Sequence, residues 1–223
     1  MTVSRTDSRA ETARERFLAA AVEAFAERGY HATTTRDIAA AAGMSPAALY
    51  VHHASKEEVL YAIARRGHET VLAAVSAAGS TSSDPAERLR AIMRAFVDFH
   101  VRSHTSARVI NYELGSLSPE HHAEIRILRR QIEAVFHDAI DTGRALGMFV
   151  VPDSRMPVLA LTSLGVDIAR WYHDDGYTAD QLALGYAEMA LRIVEFDVSG
   201  TAPAGGHPAA TTAPACGGPP RRP

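Results

Sequence analysis

Apolar residues recur every three to four positions along most of the chain, and no segment keeps the strict alternation of a β-strand. In the first such segment Phe17, Ala21 and Phe25 form one apolar stripe, which Gly29 ends. The pattern therefore predicts an all-α protein. The predicted helices cover residues 10–28, 34–42, 45 onward, 55–77, 84–103, 107–114, 118–146, 154–173 and 178–198.

Local signals mark where the helices near the N-terminus begin. Thr34 and Asp37 have the spacing of a capping box, and so do Ser55 and Glu58. Between them, Ser45-Pro46 provides a helix cap followed by a proline at the first helical position, where its missing N–H costs nothing. The sequence thus predicts two short helices joined by a tight turn. This arrangement is typical of a helix-turn-helix whose second helix enters the DNA major groove.

The short polar stretch from Gly79 to Ser83 separates this region from a longer helical body. We therefore predict an N-terminal three-helix head over residues 10–78 and a C-terminal ligand-binding and dimerisation domain over 84–198. Residues 1–9 are predicted to be a flexible arm, whose arginines are candidates for minor-groove contacts. Residues 199–223 contain mostly Gly, Pro, Ala and Thr, which favours disorder.

Composition narrows the class of protein. A net charge of −3 over 223 residues argues against a general nucleic-acid coat protein, but no carboxylate occurs from Ile38 to Lys56, where a local DNA-binding surface is expected. The single cysteine, Cys216, excludes a disulfide within the chain and fits a cytoplasmic protein. No apolar run is long enough to predict a membrane span, and the N-terminus lacks the apolar stretch of a secretory signal.

The last two predicted helices carry a pattern that favours a homodimer. On the final helix, Leu184 and Leu191 lie on nearly the opposite side from Leu182 and Met189, so this helix needs two surfaces to pack against. The alternative is a central helix in a monomeric bundle. On the helix before it, Gly165 and Ala169 are small residues four positions apart, which permits the close approach of another helix. The predicted dimerisation residues are Gly165, Ala169, Leu184 and Leu191.

Short motifs in the head together resemble a known family. They are Gly29-Tyr30, TTTRDIA from Thr33, AGMS from Ala42, LYVH from Leu49 and SKE from Ser55. This region resembles the DNA-binding region of the TetR family of bacterial transcription regulators. The WYHDDG segment at Trp171 and the helix after it resemble a branch linked to lipid or acyl-CoA catabolism. The resemblance implies a homodimeric repressor on a palindromic double-stranded DNA operator, released by a small hydrophobic effector such as an acyl-CoA or a lipid-like molecule.

Carried onto this chain, the resemblance implies roles for single residues. The implied DNA-binding residues are Thr34, Arg36, Ser45, Pro46, Ala47, Ala48, Tyr50, His52 and Lys56. Ala47 and Ala48 are expected nearest the base edges, and Lys56 is expected to contact a phosphate. The candidate ligand-binding residues are Met93, Phe96, Phe99, His100, Tyr112, Phe136, Phe149 and Trp171. His53 stands where the family usually has phenylalanine, and it needs a hydrogen bond if it is buried.

The alternative function is a helical small-molecule-binding protein or enzyme with an appended head. The sequence contains no nucleophile motif, no glycine-rich phosphate loop and no suggestively spaced carboxylate pair, so we expect no catalysis. His100 and His104 have a spacing that can bind a metal, but no further ligands lie near them in sequence. We therefore predict neither a metal site nor a cofactor. A repressor and an activator of this fold differ in where the operator lies, which the chain does not encode.

Overall fold

The prediction of an all-α protein is confirmed: in the computed structural model, which describes residues 5–45, 55–173 and 176–195, the regular elements are helices. Their bounds lie close to the predicted ones, except that the first helix begins at Arg5 rather than near residue 10 and the last ends at Ile193 rather than near residue 198. Residues 5–9 contain neither glycine nor proline, so nothing stops the helix there. The helices are α1 (Arg5–Arg28), α2 (Thr35–Ala41), α3 (Lys56–Gly79), α4 (Pro85–Arg102), α5 (His104–Tyr112), α6 (Pro119–Ala145), α7 (Arg155–Trp171) and α8 (Ala179–Ile193), with a 3₁₀ turn at Leu114–Ser116.

The predicted caps determine the starts of the helices in the head. Thr34 Oγ1 accepts from Asp37 N at 3.2 Å, and Asp37 Oδ2 accepts from Thr34 N at 2.9 Å, so the capping box of α2 is complete. Ser55 Oγ accepts from Glu58 N at 3.1 Å at the start of α3. Gly29 and Gly43 have positive φ angles of 79° and 66°, a conformation that glycine adopts without strain, and they end α1 and α2.

Helix α4 is the centre of the body and packs against α3, α5, α6, α7 and α8. Its fully buried Ile92 and Met93 belong to one core with Phe136 of α6 and Leu161 of α7. Gly165 permits a close approach in this core, because a Cβ atom there would lie 2.5 Å from the ring of Phe96. The face of α7 that carries Gly165 therefore packs inside the subunit.

Helix α3 belongs to both the head and the body. Its N-terminal half contributes Val59, Leu60 and Ile63 to the core of the head, which also contains Phe25 of α1. Its C-terminal half contributes Val71 and Val75 to the core of the body. The polar stretch at residues 79–83 thus separates two helices without separating the two cores. At 24 residues, α3 is a rod of about 36 Å that extends from one core to the other.

A polar cluster ties the start of α3 to the start of α6. Glu57 accepts from Ser118 N at 2.8 Å and lies 2.8 Å from His121 Nδ1. The ring of Tyr61 stacks on His121 with centroids 3.7 Å apart, and the Tyr61 hydroxyl donates to Glu124. Since Glu57 and Tyr61 lie on the half of α3 that packs in the head, this cluster connects α6 directly to the head.

Among the residues that the structure describes, no helix combines the length and the hydrophobicity needed to cross a bilayer.

Candidate nucleic-acid interface and internal cavity

Of the predicted DNA-binding residues, Thr34, Arg36 and Ser45 are exposed around α2. Both the amide and the hydroxyl group of Thr34 donate to Asp37, at 2.9 and 2.7 Å. Thr34 can therefore contact a phosphate only if one of these donors is shared between Asp37 and the phosphate. Arg36 makes no ion pair with any described residue, which leaves its guanidinium group available to a phosphate. The exposed edge of α2 therefore presents one arginine, while the Thr34 hydroxyl group is bound to Asp37.

The predicted contacts at Pro46, Ala47, Ala48, Tyr50 and His52 lie outside the described residues, as does His53. What the structure describes is the support on either side of this segment. Before it, the α2 turn is closed by a hydrogen bond from Met44 N to Ala39 O of 2.9 Å. After it, Ser55 caps α3. The chain therefore enters and leaves the segment at defined points of the head.

Lys56 is turned inward, onto the turn that follows α1. Its ammonium group donates to the carbonyl oxygens of Tyr30 at 2.7 Å, Thr33 at 2.9 Å and His31 at 3.3 Å. It also lies 4.3 Å from the centre of the Tyr30 ring, a favourable cation–π distance. These contacts use all three ammonium protons. The phosphate contact of Lys56 stays a prediction, and it would require the ammonium group to leave at least one carbonyl.

We expect the Lys56→Met variant to be less stable than the wild type by about 1–3 kcal/mol, because three carbonyl groups lose a charged donor. Thermal unfolding without DNA measures this loss. The control is Arg36→Met, which changes an exposed residue and should leave the unfolding temperature in place. If Lys56→Met keeps its stability but the number of counterions released on DNA binding falls by about one per head, Lys56 contacts a phosphate instead.

The body contains a small, partly open cavity of about 40 Å³ where α3, α4, α5, α6 and α7 meet, with room for a few water molecules. Its walls are apolar except for a few polar side chains. Three predicted ligand-binding residues, Phe96, Phe99 and His100, line this cavity. Sequence reasoning missed His68, Asn111, Glu133 and Thr162. For Arg129 it favoured a solvated face of the helix over contact with a ligand phosphate or carboxylate. These five residues supply most of the polar groups of the cavity.

The other five candidate ligand-binding residues do not line the cavity. Met93 and Phe136 are fully buried beside it in the close-packed core, and Phe149 fills the space over Gly143. Tyr112 is 51% exposed and Trp171 is 39% exposed, both on the outside of the body. The helical period identifies inward-facing positions, but it does not show which of them border a void. Ligand contacts by these five residues stay predictions that this cavity does not support.

Two buried histidines are the most unusual groups in the cavity wall. His68 Nδ1 is 2.8 Å from Ala64 O, and His100 Nδ1 is 2.7 Å from Phe96 O. Because a carbonyl oxygen can only accept, both Nδ1 atoms carry the proton. Burial lowers the pKa of His68, and burial lowers the pKa of His100 to about 4, with the nearby Arg129 acting in the same direction. Both rings are therefore neutral at pH 7.

A sequence signal existed for His68 but not for the others. His68 continues the apolar stripe of α3 between Ala64 and Val71, and a histidine within a core-facing stripe must find polar partners inside the protein. Arg129 lies between the exposed Arg126 and Arg130 on α6, and only the packing of α6 turns it toward the cavity.

The predicted dimerisation residues are divided between the inside and the outside of the subunit. Gly165, Ala169 and Leu191 are buried against the subunit's own helices, which corrects their proposed place in an interface. Leu184 is 49% exposed, as expected. The buried stripe of α8 is centred on Ala187 and Ala190, so its large apolar residues lie at the edges of the stripe. The large apolar residues left exposed on α7 and α8 are Met156, Leu159, Leu164, Trp171, Leu184 and Met189.

Two family models match the chain, and they divide it as the helices do. Residues 17–63 match the model described as bacterial regulatory proteins, tetR family. Residues 82–194 match the model described as tetracyclin repressor-like, C-terminal domain. The first match lies in the head, and the second covers α4 to α8, which supply the cavity-lining residues other than those of α3.

Two curated relatives resemble the chain over most of its length. The HTH-type transcriptional activator FasR of Mycolicibacterium smegmatis is 32% identical over 163 residues, which cover 73% of this chain and 73% of FasR. The HTH-type transcriptional repressor KstR2 of Mycobacterium tuberculosis is 32% identical over 181 residues, which cover 78% of this chain and 88% of KstR2. The relatives therefore include both an activator and a repressor.

Solved structures agree with this similarity. A bacterial regulatory protein in the tetR family from Rhodococcus RHA1 has a TM-score of 0.78 and 46% identity, covering 82% of this chain and 96% of that one. The structure of AibR in complex with isovaleryl coenzyme A and operator DNA has a TM-score of 0.73 and 27% identity, covering 79% of this chain and 97% of that one. The arrangement of head and body is thus shared with proteins of known structure.

Proposed function

Since the chain belongs to the TetR family of bacterial transcription regulators, we propose that it is a repressor that binds a palindromic operator as a homodimer and is released by a small, largely apolar effector. The observation that carries this proposal is the course of α3. One helix contributes Leu60 to the core of the head and His68 to the wall of the cavity. A molecule that enlarges the cavity therefore moves the helix on which the head is built.

In the proposed function, the protein contacts DNA through the exposed start of α2 and the segment from Ser45 onward. Arg36 contacts the phosphate backbone, which positions the head, while Ala47 and Ala48 read base edges from the following segment. Tyr50 and His52 add a base or phosphate contact and a backbone contact. The absence of carboxylates from residue 38 to residue 56 supports this placement, because nothing in that stretch repels phosphate.

In the proposed function, the effector binds in the cavity between α3, α4, α5, α6 and α7. At about 40 Å³ the cavity must expand to accept an organic molecule. Phe99 and Ile110 border both this cavity and a groove of about 450 Å³ between α1, α3 and α5, so their displacement joins the two spaces. AibR, whose structure contains isovaleryl coenzyme A and operator DNA, is a precedent for an effector of this general kind in a similar fold.

In the proposed dimer, the subunits meet through the outer faces of α7 and α8, which both pack on α4. Six large apolar residues of these helices remain exposed, with Met156 at 69% and Leu159 at 58%. A second copy related by twofold symmetry buries those that lie on the shared face, in both subunits. The dimer then holds two heads at a defined separation, as a palindromic operator requires. We place the protein in the cytoplasm, where such an operator is accessible.

Activation is the second candidate, and the similarity to FasR favours it. The two functions share the head, the dimer and the cavity, and they differ in the position of the operator relative to the promoter. The enzyme alternative is set aside, because the relatives over most of the chain are transcription regulators.

Selection of bound duplexes from random-sequence DNA tests the proposal. We expect an inverted repeat whose half-sites lie about one helical turn apart, bound by one or more dimers, with an affinity at least about 10³-fold above that for random DNA. Recovery of sequences without twofold symmetry, or of no preferred sequence, would contradict the proposed function.

A further inference from the structure

The polar groups of the cavity identify the chemistry of a ligand that fits it. The Nε2 atoms of His68 and His100 form no hydrogen bond with any described group, although the two residues are only 6% and 3% exposed. Since each Nδ1 carries the proton, each Nε2 presents a lone pair and accepts only. A buried acceptor without a donor is unfavourable, so two such atoms on one cavity favour a ligand that donates a hydrogen bond.

The neighbouring polar groups do not meet this demand. Thr162 donates its hydroxyl proton to Val158 O at 2.8 Å, and the Asn111 amide donates to Ala107 O at 2.8 Å. Arg129 and Glu133, one turn apart on α6, line the same cavity but form no ion pair within 4.0 Å. The positive charge of Arg129 opposes protonation of the histidines, which preserves their acceptor character.

We propose that the effector is an apolar molecule with a neutral hydroxyl group, an alcohol or a phenol, that donates to Nε2 of His68 or His100. This inference rests on the proposed function, since it assigns a ligand class to the effector cavity. A plain hydrocarbon chain would leave both acceptors unpaired after expelling any water from the cavity. A carboxylate placed against either Nε2 atom would bring lone pairs against lone pairs, so an anionic group in this cavity could pair only with Arg129.

Matched pairs of probes test the hydroxyl group by itself. Phenol and toluene are nearly the same shape, as are 2-naphthol and 2-methylnaphthalene, and each pair exchanges O–H for CH₃. Titration calorimetry on the full chain should give an affinity for the hydroxyl probe about tenfold or more above that for its methyl partner. Equal affinities, preference for the methyl probes, or no binding of either at millimolar concentration would overturn the proposal.

The variant His100→Phe removes one acceptor and keeps a ring of similar size. We expect it to reduce the preference for the hydroxyl probe while retaining or improving the binding of the methyl probe. The matched control is His104→Phe, because the His104 Nδ1 atom lies 3.0 Å from Val101 O and the ring packs on Tyr172 away from the cavity. A preference that is unchanged in both His100→Phe and His68→Phe would also reject the proposal.

Two further readouts separate the possible failures. Long-range ¹H–¹⁵N spectra of the histidine rings at pH 7 should give two neutral rings with the proton on Nδ1, and their Nε2 signals should shift with phenol but not with toluene. A proton found on Nε2 of both rings would refute the inference without any ligand. If the selected operator is bound but the hydroxyl preference is missing, only this inference fails, whereas failure to select any operator removes the proposed function itself.

Discussion

Replacing Tyr50 with alanine is expected to reduce operator affinity on the order of 10²- to 10⁴-fold. A side chain that contacts DNA typically contributes about 1–3 kcal/mol, and a dimer loses this contribution in both heads. Non-specific binding should change much less, because most of it comes from phosphate contacts by basic residues. Fluorescence anisotropy with the selected operator and with a scrambled duplex measures both affinities.

Two controls isolate the role of Tyr50. Tyr50→Phe removes only the hydroxyl group, so an intermediate loss assigns part of the affinity to a hydrogen bond and the rest to the ring. Tyr177→Ala changes a tyrosine that is 66% exposed in the body and should leave operator binding intact. Helical content by circular dichroism and the oligomeric state should match the wild type in all three variants. Unchanged operator affinity in Tyr50→Ala would mean that the segment after Ser45 does not contain the recognition helix.

Charging the outer faces of α7 and α8 is expected to separate the subunits. In the double variant Leu159→Glu, Leu184→Glu, each interface would bury four additional carboxylates, which costs several kcal/mol for each unpaired charge. Both side chains are about half exposed in the subunit, so its own fold should be preserved. Analytical ultracentrifugation should show a monomer at concentrations where the wild type is a dimer.

Operator binding should fall together with the dimer. In a dimer the second head binds at a high effective concentration, so its loss reduces the affinity for a two-half-site operator by about 10²- to 10⁴-fold. The matched control is Ile127→Glu, Leu146→Glu, which charges two other exposed apolar residues on α6 and at its end. A double variant on α7 and α8 that remains dimeric would show that the subunits pair through another surface.

Local signals predicted the helices well, because each signal acts within a few residues. The capping box of Thr34 and Asp37 and the cap at Ser55 are present as the spacing indicated. The glycines at 29 and 43 end their helices with positive φ angles. The start of α1 differed, since nothing in residues 5–9 prevents a helix from continuing, and α8 ends at Ile193, five residues before the predicted end.

The cavity and the dimer face were predicted less well, because they depend on how helices pack. Phe96, Phe99 and His100 were found, since aromatic and polar residues on an apolar stripe are natural candidates for a cavity wall. Gly165 was interpreted as an outward contact, but its missing Cβ admits the ring of Phe96 from the same subunit. A small residue allows close approach without indicating which helix approaches.

The sequence by itself determined the helical class, the positions of the head and the body, and the helix-turn-helix with its family resemblance. These follow from the period of apolar residues and from caps that act over one turn of helix. Only the tertiary structure decided that Lys56 holds the turn after α1, that α3 joins the two cores, and that His68 and His100 line one cavity with their acceptors free. Those facts depend on residues distant in the chain, and no local pattern encodes which of them meet.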